Sequence, residues 1–108
     1  MSWTVERALD ELAIEKYTLR NDGVSLWLKD IDREIKITLS VNLVSGGVNF
    51  HANYAIKTPE QISAHIPSRE WGDDQAYALH LAVTSFTQHY DFAVKNGHKP
   101  SNSWLIPR

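Results

Sequence analysis

Five histidines, one helix-borne serine and two Asp pairs are the residues whose types could do chemistry, and their spacing decides how much. His80 and His89 share one long periodic segment, but nine residues turn a helix through about 900° and leave them on opposite sides. No histidine stands three or four residues from another, and His-Glu-x-x-His is absent, so no metal and no cofactor is expected. Ser85 and His89 are one helical turn apart. A nucleophilic hydrolase also needs an orienting acid, oxyanion donors and a strained turn, and a mid-helix Ser more often bonds its own backbone one turn back. Asp73 and Asp74 suit a helix start, Asp30 and Asp32 a turn. No catalytic residue is therefore assigned.

A polar strand face holds more interest. His51 lies between Asn49 and Asn53 at strand spacing, and pairing across a hairpin brings it towards Ser40 or Asn42. Asn is a poor strand former, so its recurrence asks for a compensating role. Four tryptophans occur, and Trp27 sits on the less apolar side of its strand. Trp27, Ser40, Asn42, Asn49, His51 and Asn53 form the candidate ligand- or partner-binding set.

The elements that must position these residues follow from periodicity. Thr4 is read as the cap of a helix from about Val5 to Ile14, with Val5, Ala8, Leu9 and Leu12 as its apolar stripe. The period then becomes two. Lys16–Arg20, the Asn21-Asp22-Gly23 turn, Val24–Lys29, Ile35–Leu43 and Val48–Ile56 read as a four-stranded antiparallel meander, the Asp-Gly pair being a hairpin signal. One face carries Ile35, Ile37, Leu39, Val41, Phe50, Tyr54 and Ile56. The other carries the polar set and can face water.

Thr58-Pro59-Glu60-Gln61 has the chemistry of a helix start, giving a two-turn helix ended by Pro67 with Ile62 and Ile66 inward. The stretch from Asp73 to Asn96 reads as a helix of about six turns, capped by Asp73 and closed by Gly97. Ala76, Leu79, Val83, Phe86, Tyr90 and Val94 fall in one arc, the seam for the sheet. Tyr77, Leu81 and Phe92 form a second stripe that needs another cover: the N-terminal helix, the tail around Trp104-Leu105-Ile106, or a second subunit. Tyr77, Leu81, Phe92 and Trp104 are the candidate self-association residues.

The expected fold is an α+β two-layer sandwich in a single domain over 1–108. A formal net charge of −2 with scattered basic residues argues against nucleic acid, and the apolar runs are far too short for a membrane span. A cytoplasmic setting is the default for a chain with no cysteine and no signal-peptide pattern. The leading functional expectation is a non-enzymatic binding or assembly module that self-associates, with a homodimer or a protein partner as the expected assembly. The alternatives are a small-ligand binder or small enzyme built around His51, and an adaptor or inhibitor acting through Trp27.

Overall fold

The alternating segments pair as neighbours along the chain and build an antiparallel sheet, described in a computed structural model for residues 3–108. Its strands are β1 (Ile14–Arg20), β2 (Gly23–Leu28), β3 (Ile35–Val41), β4 (Val48–Ala52) and β6 (Trp71–Gly72), in the order β1-β2-β3-β4-β6. Two further strands, β5 (Tyr54–Ile56) and β7 (Leu105–Pro107), pair with each other outside it. A short α1 (Val5–Ala8) and the long α2 (Gln75–Lys95) complete the α+β fold. The main sheet thus has five strands, the fifth supplied by a two-residue segment that the meander alone did not reveal.

α2 lies on the sheet as the periodicity requires. Leu79, Val83, Phe86 and Tyr90 are buried in one cluster with Val24, Leu26, Ile35, Ile37 and Phe50. Ala78, Ala82 and Ala93 widen the seam, while Val94 is exposed. The helix is capped by Asp74 rather than Asp73, with the Asp74 carboxylate accepting the Tyr77 N–H at 2.8 Å. At the other end Gly97 takes φ +89°, Gly97 N–H donates to Val94 and His98 N–H donates to Ala93, a Schellman closure.

Three expectations change. α1 stops at Ala8 instead of continuing to Ile14, because the backbone of Ala13 is already bonded to the sheet, its carbonyl accepting Lys29 N–H at 2.9 Å. Val5, Ala8 and Leu9 still pack inward, but Leu12 is 87% exposed. The Thr58–Gln61 signal forms its local bonds without a helix following. Thr58 N–H donates to Gln61 Oε1 at 2.8 Å, and Glu60 N–H donates to Thr58 Oγ1 at 3.2 Å. His65 N–H then donates to Ile56 at 2.9 Å and forms an isolated antiparallel bridge, so the chain bonds to β5 in place of its own preceding turn. Ile62 is left 100% exposed, and Ile66 is also exposed.

The third change is at Asn53, where the expected fourth strand divides into β4 and β5. Its side chain stands in for sheet backbone: Oδ1 accepts Lys36 N–H at 2.8 Å and Nδ2 donates to Glu34 C=O at 3.2 Å. Its own N–H donates to Lys36 and its carbonyl accepts Arg108 N–H. β3 keeps its bonds while the chain leaves to meet β7. The first hairpin also differs in detail. Asn21 and Asp22 form the turn and Gly23 opens β2, where a Cβ would lie 1.9 Å from the Ile37 carbonyl oxygen.

Among the described residues, the Thr87 hydroxyl is buried without a hydrogen-bond partner. Replacing an unpaired buried hydroxyl by a methyl of the same shape removes a desolvation cost. Thr87→Val is expected to raise stability by about 1 kcal/mol, read as a higher midpoint in denaturant with an unchanged slope.

Candidate functional site

Antiparallel register sends every second side chain of the sheet away from α2. In rows across the strands, that face carries Thr18, Ser25 and Lys36, then Arg20, Thr38 and His51, then Ser40, Asn49 and Trp71. No described element packs over Thr38, Ser40, Asn49 or His51, all of which are exposed. His51 lies opposite Thr38 rather than Ser40 or Asn42, and Asn49 lies opposite Ser40. The shift arises because β3 ends at Val41, and the Asn42 side chain turns the hairpin by accepting the N–H groups of Val44 and Ser45 at 2.9 and 3.1 Å.

The sequence-derived polar set is therefore divided. Ser40, Asn49 and His51 come together, with Thr38 and Trp71 beside them. Asn42 is engaged in its loop and Asn53 in its corner. Trp27 lies about 13 Å away along the strand direction, four residues of register from the Thr38–His51 row. There the Lys16 ammonium lies over its ring, 4.7 Å from the centroid. Trp27 also lines a separate groove with Glu15, Asp30 and Asp32. Trp71, missed in the sequence because a two-residue strand leaves no periodicity, has the Arg69 guanidinium 4.1 Å above its ring.

The second stripe of α2 is only partly covered. Tyr77, Leu81 and Ser85 face His65, Pro67 and Arg69 across a groove of about 290 Å³ floored by Phe50. Phe92 lies further along the helix and is exposed. Trp104 is 3% exposed and meets Tyr90 edge-on at 5.8 Å, so it belongs to the core and not to a self-association surface. The pairing of β7 with β5 brings it inside. Ser85 donates to its own Ala82 carbonyl at 2.6 Å, and His89 rests against His65, ring centroids 4.6 Å apart, so the helical Ser–His pair is not formed. On the other flank of α2, Trp3 stacks on His80 at 3.6 Å, which seats the α1 segment there.

A further open surface is the edge strand β1, expected from the sequence as the first of four. Tyr17 and Leu19 oppose Leu26 and Val24, so they share the helix-side face, yet they are 44% and 61% exposed. Their partners Leu26 and Val24 in β2 are buried in the core cluster. Tyr17 lines a groove with Glu6, Arg7, Leu9 and Asp10. Among the described residues no strand pairs with the outer side of β1. Comparison with family models, with curated proteins and with solved structures gives no match.

Burial sets the titration of the two α2 imidazoles. His80 is held below the ordinary value of 6.5 by desolvation, which the nearby Glu11 opposes and Arg7 reinforces. His89 is lowered by desolvation and then by His65. For a histidine with a depressed folded value, the contribution to stability is present above the ordinary value and is lost as pH falls through the lowered one. The melting temperature is expected to fall on acidification from about pH 7 to about pH 5, and to fall less in His89→Gln, as followed by circular dichroism.

Proposed function

We propose that this chain is a non-enzymatic binding and assembly module that self-associates, with a second copy of itself as partner. The observation that carries the reading is the β1 edge: a seven-residue strand with no strand on its outer side among the described residues, and with Tyr17 and Leu19 exposed on the face that carries the core. Natural sheets blunt such edges by shortening, bulging or charging them. β1 carries a bulge between Ile14 and Lys16 and two cations, but the cations point to the polar face and leave the apolar pair unguarded. Burying large apolar side chains of this kind contributes about 25 cal/mol per Å².

This reading moves the interface away from the second stripe of α2. Tyr77 and Leu81 are half-buried within the chain, Trp104 is inside it, and Phe92 stands alone on the outer surface. Size-exclusion chromatography with light scattering is expected to give twice the 12.3 kDa chain mass at high concentration. Tyr17→Glu and Leu19→Glu should each give a monomer, and Leu19→Glu, at the more exposed of the two positions, should keep stability within about 0.5 kcal/mol of the parent. Phe92→Glu should leave the dimer intact. A monomer throughout the concentration range would overturn the reading.

A second reading is favoured by one observation, the uncovered cluster of Thr38, Ser40, Asn49, His51 and Trp71. A polar ligand would find hydrogen-bonding groups there beside an exposed indole, a combination suited to partners that are apolar on one side and polar on the other. Such a ligand is expected to shift the His51 ring resonances in NMR and to lose at least about tenfold in affinity in Trp71→Ala. Unchanged His51 resonances across a panel of polar ligands would count against it.

A further inference from the structure

The direction of the free backbone groups on β1 defines how a second copy can join. Asp22 accepts Leu39 N–H at 2.7 Å, so the bonded positions of β2 towards β3 are the even-numbered ones beginning with Asp22 and Val24. Gly23 and Ser25 therefore bond the other way, to Arg20 and Thr18. By alternation along β1, Tyr17 and Leu19 send their N–H and C=O groups outward from the sheet edge. The same two residues carry the exposed apolar side chains. Unpaired backbone and unburied apolar surface thus coincide at the same positions.

We propose that two copies pair antiparallel along β1, about a two-fold axis normal to the sheet, with Tyr17 opposite the partner's Tyr17. The pairing rests on the self-association proposed above and specifies its surface. Joining the two main sheets gives one ten-stranded sheet in which both α2 helices lie on one side and both polar clusters on the other. A slip of one residue would put Tyr17 against the opposite face, so only even shifts are allowed. A shift of two in one direction sets Lys16 directly opposite the partner's Arg20, a like-charge pair that disfavours it. A further shift of two brings the Asn21-Asp22 turn into the ladder and leaves three strand residues paired. In the Tyr17-centred register Lys16 instead meets the partner's Thr18, and Tyr17 N–H and C=O exchange two hydrogen bonds across the axis. Tyr17 meets its own copy directly and the partner's Leu19 diagonally, which are the contacts that stabilise antiparallel pairs.

Backbone amide exchange on the unmodified chain reads the edge pairing, and cysteine cross-linking reads its register. In the dimer Tyr17 and Leu19 N–H should exchange at least about tenfold more slowly than in the dilute monomer, while Thr18 N–H, already bonded to β2, should change little. A single-cysteine test is clean because the chain contains no cysteine. Tyr17→Cys should form a disulfide-linked dimer under mild oxidation, whereas Asn21→Cys, on the exposed turn, should not. If light scattering shows a dimer but the Tyr17 and Leu19 amides stay fast, this pairing is overturned while self-association stands. If the amides slow but Asn21→Cys links as readily as Tyr17→Cys, the register is overturned. A monomer at every concentration removes both.

Discussion

One helix has to cover five strands. Strands lie about 4.8 Å apart, so the main sheet spans about 19 Å between its outer strands, while a helix with its side chains is about 10 Å across. α2 therefore seals the sheet over β3, β4 and β6, and leaves the β1–β2 side to other elements. At the β6 margin the loop carrying His65, Pro67 and Arg69 closes over Phe50. At the opposite margin α1 is only one turn long. It buries Ala8 and Leu9 beside α2 and does not reach over Tyr17 and Leu19. The exposed edge follows from this shortage of cover.

The shortness of α1 and the division at Asn53 express the same competition between helix, turn and sheet for backbone partners. A four-residue helix gains few internal hydrogen bonds, and its persistence depends on docking, here through Trp3 stacked on His80 and Ala8 packed in the core. At Asn53 the carboxamide bonds as a peptide group would, which keeps Lys36 and Glu34 satisfied while the main chain departs. That departure matters for the whole tail. It frees β5 to pair with β7, which seats Trp104 against Tyr90, and Arg108 then forms two contacts of 3.1 Å with the Glu70 carboxylate.

Signals repeated over many residues were legible in the sequence, and those resting on a single long-range bond were not. The seam Leu79, Val83, Phe86, Tyr90 and the closure at Gly97 could be read because each helical turn repeats the evidence. The alternation from Ile35 to Val41 and from Val48 to Ala52 was equally plain. Capping chemistry at Thr58 misled, since a cap satisfies a first turn but cannot supply an apolar face for the next; Ile62 had nothing to dock against. Of the polar set, Ser40, Asn49 and His51 were placed on one open face correctly. Asn42 and Asn53 look identical to them in sequence and differ only in finding backbone partners, one in a loop and one in a distant strand. Tyr17 and Leu19 were visible as alternating residues, but their exposure depends on how far α2 and α1 extend sideways, which no local pattern encodes.

In the β1 pairing proposed above the two-fold axis stands normal to the sheet, which has a consequence for the polar face. The cluster of Ser40, Asn49 and His51 lies on the far side of the sheet from α2, so joining two sheets edge to edge sets two such clusters on one continuous surface. An axis lying in the sheet plane would turn them to opposite sides. Two weak sites facing the same way can engage one extended or repeating partner together, and the second contact then forms at high effective concentration. The edge and the face, separate features of one chain, become parts of a single bivalent surface once β1 is paired. A polar cluster too open to hold a small ligand tightly would thereby gain binding strength from assembly, without any deeper pocket.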